Sequence, residues 1–279
     1  MLNINTNYGA AFAANAAKKT STALDSTIEK LSSGSRINYA SDDAAGQGIA
    51  TRLSGEIQGL NMAARNAADG QSLLDTAEGA LKEVHSLLLR MRELAVQSSN
   101  DTLTTADRKA TQAEVGVLEA EIQRISDNTT WAGQKLLDGS LSGATAAKFQ
   151  IGVDNGETIT VTIGAIDATT TVANGGLGLD GSVTTQAAAS AYITKIDAAI
   201  SHVSSDRGLL GANSNRLNST IANLNQVAVN LSASKGRIED ADFASETSNL
   251  ARHQIMQQAA TAMIAQANAS KSTILTLIR

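Results

Sequence analysis

The chain has 279 residues, contains neither cysteine nor proline, and carries a formal net charge of −5. The missing cysteines exclude a disulfide framework, Cys-ligated zinc and thiol catalysis, and the acidic balance argues against nucleic acid as the main partner. With only three Phe, three Tyr and one Trp, Ala, Leu, Ile and Val must do the packing, which suits close helix–helix contact, and no proline forces a break in a long helix.

The first residues, Met1 to Asn7, carry no charged side chain, and the small apolar stretch Gly9 to Ala14 precedes Lys18 and Lys19 instead of following them. That order is wrong for a secretory signal, and no apolar run reaches the roughly 18 residues of a membrane span. Taken alone, this places the chain in the cytoplasm without membrane insertion. Residues 13–32 then put Leu24, Ile28 and Leu31 on one helical face. Gly34 follows as a helix-closing residue in the left-handed conformation. Next come Arg36 and the pair Asp42 and Asp43, which are placed to cap a following helix and complement its positive end.

Beyond that bend a 3-4 spacing of apolar residues runs through Leu53, Ile57, Leu60, Ala64, Ala67, Leu74, Leu81, Val84, Leu88, Met91 and Ala95. Thr104-Thr105-Ala106-Asp107 opens a shorter helix bearing Val115, Leu118, Ile122 and Ile125. The middle of the chain changes period. Residues 148–153 and 157–163 alternate apolar and polar as two strands, and Asp154-Asn155-Gly156 between them predicts a tight hairpin with positive φ at both Asn155 and Gly156. Residues 164–185, rich in Thr, Gly and Ala, read as an exposed loop with one more short strand.

The second half returns to helix. Ile196, Val203, Leu210, Leu217, Leu224, Leu231 and Ile238 recur every seventh position, with Ile200, Ile221 and Ala228 on the companion seam. A heptad sustained this long predicts long helices wound against partners. Gly236, Arg237, Asp240 and Asp242 repeat the punctuation seen near the start, predicting a second helix end and cap. Arg36 and Arg237 are candidate salt-link partners for these carboxylates. Residues 243–279 are loosely amphipathic, with Leu250, Ile255, Ala259, Met263, Ala267, Ile274, Leu277 and Ile278 as the apolar set.

The predicted fold is mainly α: a long antiparallel helical coiled-coil bundle formed by the N- and C-terminal halves, with a small β-hairpin insert in the middle. Residues 1–43 with 239–279 form terminal arms, 44–140 with 186–238 a helical body, and 141–185 the insert. The arms are weakly apolar and suit burial against many partners. Other motifs have plainer explanations. Gly176 to Gly181 matches G-x-G-x-x-G, but no βαβ context surrounds it, so a flexible surface loop is the better reading. His85, His202 and His253 lack ligand spacing, Asp154, Asn155 and Glu157 are too few for calcium, and the paired aspartates are caps before they are catalysts. No cofactor, metal or enzyme activity is implied.

The stretch Ile28 to Asn38, with Asp42-Asp43-Ala44-Ala45-Gly46, resembles the N-terminal signature of bacterial flagellins. So do Ala64 to Gly70, Thr76 to Leu81 and Met91 to Gln97. In the second half, Arg237 to Phe243, Gln257-Gln258-Ala259, Ala265 to Asn268 and the terminus Ile274 to Arg279 agree independently. The similarity spans about residues 1–140 and 190–279. It implies a filament subunit that pairs its terminal helices as an inner tube and polymerises with itself. It further implies export without a cleaved signal through the flagellar type III apparatus, hence an extracellular location, and dealings with an export chaperone, a filament cap and junction proteins. Arg90, Leu94 and Glu114 match positions that in related flagellins contribute to recognition by an animal innate immune receptor; filament contacts are the competing role. Two departures stand out: the missing proline in Asn268 to Ser272, and Arg252-His253 where uncharged residues are common. A hook–filament junction protein and a flagellin-like surface adhesin or receptor are the alternative readings.

Overall fold

In the computed structural model, residues 6–168 and 176–277 are described, the side chains of 144 and 271–277 excepted. The helices are α1 (Tyr8–Ser33), α2 (Ala44–Ser98), α3 (Thr105–Asn128), α4 (Gln186–Glu239) and α5 (Phe243–Leu277). Two small antiparallel hairpins join them: β1 (Thr130–Trp131) with β2 (Gln134–Lys135), and β3 (Ala147–Gln150) with β4 (Thr158–Val161). The mainly helical fold with a β-hairpin in the middle is therefore as the periodicity predicts. The chain divides into two compact units, Met1–Ile57 with Val229–Arg279, and Gln58–Ala228.

In the first unit α1 packs on α5. The helices run antiparallel, because the Asn7 side chain donates to the Ala267 carbonyl at 3.1 Å while Ser35 bridges Asp240. Asn7 also caps α1, its Oδ1 accepting from the Ala10 amide at 3.1 Å.

In the second unit α2 and α4 run antiparallel. Gln71 donates to Ser214 Oγ at 2.7 Å, Arg207 to Glu78 at 2.7 Å, and Arg92 to Asp197 at 2.7 Å, so numbers rise along one helix as they fall along the other. The seams are those of the sequence: Leu74, Leu81, Val84, Leu88, Met91 and Ala95 are buried with Ile196, Val203, Leu210 and Leu217. Further along α4, Leu224, Leu231 and Ile238 are only half-buried. α3 adds Val115 and Ile122 to this core. It opens on a capping box, Thr104 Oγ1 accepting from the Asp107 amide and Asp107 accepting from the Thr104 amide. Arg108 turns back to donate to the carbonyls of Ser98 and Asn100, both at 2.9 Å, satisfying the end of α2.

Three expectations for the middle of the chain are corrected. The β3–β4 connection is not a two-residue turn: Gln150 pairs with Thr158, and of Asn155 and Gly156 only the glycine has positive φ, +92°. The wider loop lets Val153 lie against α2 at Gly59, where a Cβ would sit 3.0 Å from its methyl carbons, as the Phe149 ring does at Gly70. Both glycines thus permit close approach of the hairpin to the helix. Second, residues 164–168 and 176–185 contain no strand and are not exposed loop. Ile166, Leu177, Leu179 and Val183 are buried in the main core, and the backbone is tied down by Ile166 to Leu137, Leu177 to Asp167 and Leu179 to Ala168 hydrogen bonds of 2.7–2.8 Å. Third, the glycine-rich run Gly176 to Gly181 is therefore packed: Gly181 lies directly against the Tyr192 ring. A hairpin unforeseen in the sequence, β1–β2, turns at Ala132 and Gly133 with φ of 50° and 83°.

Candidate functional site

The two bends share letters but not geometry. At the first, Gly34 closes α1 as expected, with φ of 71° and its N–H donating to the Lys30 carbonyl at 2.9 Å. Asp43 caps α2, its Oδ1 accepting from the Gly46 amide at 2.9 Å. Asp42 does not cap the helix; its Oδ2 accepts from the amides of Tyr39 and Asn38, both at 3.1 Å, and so fixes the loop before it. Those two N–H groups, Tyr39 first, hold the Asp42 carboxyl below its ordinary range.

At the second bend Gly236 is not a cap at all. It lies inside α4, which continues to Glu239. The residues after it, Arg237-Ile238-Glu239, are compatible with helix, and the Asp240 amide donates to the Gly236 carbonyl at 2.8 Å. Asp242 is the cap of α5, accepting from Ala244 and Ser245 amides at 3.0 and 3.3 Å. The chain on either side of the two bends is laced together: the Arg36 amide donates to the Glu239 carbonyl at 2.6 Å and the Ala241 amide to the Gly34 carbonyl at 2.9 Å. The expected salt links are absent among the described residues. Arg36 donates to the Ile238 carbonyl at 2.6 Å, and Arg237 to Ser234 Oγ at 3.1 Å. Both guanidinium groups serve neutral acceptors instead of the aspartates.

The terminal helices show two kinds of face. Between them lies a seam of small and polar residues, with Ala13 and Thr27 buried on α1 and Ala260, Ile264 and Ala267 half-buried on α5. Inside it the Nδ1 of His253 and the Oε1 of Gln257 are buried with no hydrogen-bond partner among the described residues. Leu24 and Leu31 are half-buried at the seam, whereas Ile28 is exposed. Other large apolar side chains point elsewhere: Phe12 is 77% exposed, Ile255 66% and Met263 63%. α5 also carries Ile274 and Leu277, and Ile278 lies outside the described residues.

The proposed receptor set does not share one surface. Arg90 donates to Glu93 at 3.0 Å and to Glu114 at 2.9 Å on an exposed face. Leu94, by contrast, is 3% exposed, because it falls on the core side of α2 between Met91 and Ala95. Elsewhere, His202 Nδ1 lies 3.5 Å from Asp206 Oδ2. Burial pushes the Asp206 carboxyl up, with His202 acting in the opposite sense. Sequence reading missed the groups that hold the buried middle segment. α3 presents Gln112 and Gln123 to it, Gln112 accepting from the Val183 amide at 2.6 Å and Gln123 from the Ala168 amide at 3.1 Å, while Glu119 between them accepts from the hydroxyl of Tyr192 on α4 at 2.5 Å. Burial, and then the Glu119 carboxylate, raise the Tyr192 phenol well above its usual range. The 7- and 4-residue spacing of these three on one helix was the available signal.

Paired terminal helices with exposed apolar residues, on a mainly helical fold with small β-hairpins, suit a structural subunit. The comparisons narrow this. The model for the bacterial flagellin N-terminal helical region matches residues 4–142, and that for the C-terminal helical region matches 193–278. A flagellin of Halalkalibacterium halodurans is 44% identical, covering 90% of both chains, and a flagellin of Bacillus subtilis is 40% identical over the full length of both. The chain belongs to the bacterial flagellin family and is a structural subunit of the flagellar filament. A solved structure described as a flagellar hook-associated protein from Vibrio parahaemolyticus shares the fold at 19% identity, with a TM-score of 0.59 over 71% of this chain and 100% of its own. It speaks to architecture only, and the junction-protein and adhesin readings are not favoured. Among the described residues no helix is long and apolar enough to cross a membrane.

Proposed function

We propose that the chain polymerises through the outer faces of α1 and α5, which become buried by neighbouring copies. The observation that carries this is the exposure of Tyr8, Phe12, Ile255 and Met263 outside the α1–α5 seam. Apolar surface of this kind marks association sites, and contacts between different faces of identical subunits generate an open helix instead of a closed ring. The bends at Gly34 and Asp242 set the arms, and Asp43, Arg36 and Asp240 hold them. Leu24, Ile28, Leu31, Ile274, Leu277 and Ile278 complete the assembly set.

The further partners follow from the family. The export apparatus, its chaperone, the filament cap and the junction proteins handle the chain on its way to the outside of the cell. A chain free of cysteine and proline suits passage in the unfolded state. A surface contact with an innate receptor rests on Arg90 and Glu114, since Leu94 is turned inward. The test is seeded growth of purified full-length protein carrying Ile255→Asp with Met263→Asp. Growth should stop while the helical signal and melting of the 58–228 unit stay unchanged. Normal filaments from that variant would refute the assignment.

A further inference from the structure

The sequence contains two Asn-Gly pairs, Asn155-Gly156 and Asn174-Gly175; the second lies outside the described residues. We propose that Asn155 is a self-modification site that deamidates spontaneously through a cyclic imide formed with Gly156. In this step the main-chain nitrogen of Gly156 attacks the side-chain carbonyl carbon of Asn155. A C–N bond forms, the side-chain amide leaves as ammonia, and a five-membered succinimide remains. Water from solvent then adds to either ring carbonyl and opens it, giving aspartate or, with the main chain rerouted through the side chain, isoaspartate. No oxidant or reductant enters.

Four observations converge on this position. Asn155 and Gly156 are both exposed at a loop tip, where chemical change concentrates and is tolerated. The Gly156 N–H donates to no acceptor among the described residues, although its carbonyl accepts from the Thr158 amide at 2.9 Å. Nothing lies within 4 Å of where a Gly156 Cβ would stand, so the attacking nitrogen is unhindered. Finally, the connection is longer than a two-residue turn, with seven residues between the paired Gln150 and Thr158, so no ladder pairing fixes Asn155. Asparagines on helices differ on each count: Asn61 and Asn66 sit within α2, with residues bearing side chains after them, and their successors' amides are held in the i to i−4 ladder.

The product changes the loop in two ways. A new carboxylate joins Asp154 and Glu157 in a run of four residues, adding repulsion beside the Glu157 Oε2 that accepts from the Asp154 amide at 3.2 Å. The isoaspartate form also lengthens the main chain inside a loop closed by the Ile151 to Glu157 hydrogen bond of 2.9 Å. Val153 rests on α2 at Gly59 from within this loop, so modification loosens that contact.

The experiment uses the full chain carrying Asn174→Gln, with and without Asn155→Gln. Both are held at neutral and mildly alkaline pH, mapped by peptide mass spectrometry, and assayed for isoaspartate by enzymatic methyl transfer. The Asn155 peptide should gain the acid form several-fold faster than peptides bearing Asn61 or Asn66. The rate should rise with pH, because the attacking nitrogen must lose its proton. The isoaspartate signal in the peptide spanning residue 155 should vanish with Asn155→Gln, whereas any signal from Asp69-Gly70, Asp138-Gly139 or Asp180-Gly181 should persist. Hydrogen exchange at the Ile151 amide should quicken as modified protein accumulates. Conversion at Asn155 no faster than at Asn61, or an isoaspartate signal in the residue-155 peptide that survives Asn155→Gln, would overturn the proposal.

Discussion

The guanidinium of Arg36 donates to the main-chain carbonyl of Ile238 at 2.6 Å, joining positions 202 residues apart. It therefore serves the end of α4, where helix carbonyls lack internal partners, and no acidic group. Arg36→Ala should weaken the terminal unit by about 1 kcal/mol, the scale of one exposed hydrogen bond. Hydrogen exchange at the amides of Arg36 and Ala241 should rise most. Unchanged protection at both would show that the lacing depends on main chain alone.

The two neighbouring aspartates should separate cleanly. Asp43→Ala removes the α2 cap and should cost about 1 kcal/mol. Asp42→Ala should leave the helix start intact and free the 38–39 loop, seen as faster exchange at the Tyr39 amide. Because the folded carboxyl of Asp42 lies below its ordinary value, its contribution is full above the unfolded value of about 3.9 and fades as pH falls through the lower folded value. An acid titration of the Tyr39 amide by NMR checks both sign and window.

Asp206 should behave oppositely. Its folded carboxyl lies above the ordinary value through burial, so the stabilising balance holds below about pH 3.9 and is lost as pH rises through the folded value. Asp206→Asn should be at least as stable as the parent at neutral pH and flatten that dependence in thermal melts. Gly164→Ala should push the Asp206 carboxylate aside, since its Cβ would stand 2.6 Å from Asp206 Oδ2, at little cost in stability because only the tip of that side chain need move. A Gly164→Ala variant that leaves the pH dependence from Asp206 unchanged would contradict the packing described.

The middle segment gives the largest predicted effect. Leu177→Ala and Leu179→Ala each empty a buried site and should cost about 2–5 kcal/mol. Replacing residues 176–182 with a Gly-Ser linker should expose the core of the 58–228 unit, measured by denaturant unfolding. A linker variant as stable as the parent would mean the segment contributes nothing.

Long-range helical order was legible in the sequence because period survives without context. Ile196, Val203, Leu210 and Leu217 needed only their spacing to be placed in the core, and Thr104 with Asp107 needed only local chemistry to start a helix. Gly34 and Gly236 could not be told apart locally: one is followed by residues drawn into an extended bridge with Asp240, the other by residues that continue a helix. The Gly- and Thr-rich segment around Leu177 read as solvent-facing because its burial depends on partners far away in sequence, Gln112 and Gln123, and on Tyr192 from the next helix. The terminal faces were half legible. Ile255 and Met263 were recognised as apolar, but which of two faces turns toward α1 was decided by the small residues between them.

The exposed row on α5 carries sulfur. Met256 is exposed together with Met263 and Ile255, so the surface proposed above to meet neighbouring copies is also an oxidisable one. Conversion of a thioether to its sulfoxide puts a polar, chiral group where an apolar one is required. Free chains meeting peroxide before assembly should thus lose competence for growth, whereas chains already incorporated, their thioethers covered, should keep it. The order of oxidation and assembly would then be recorded in the polymer itself.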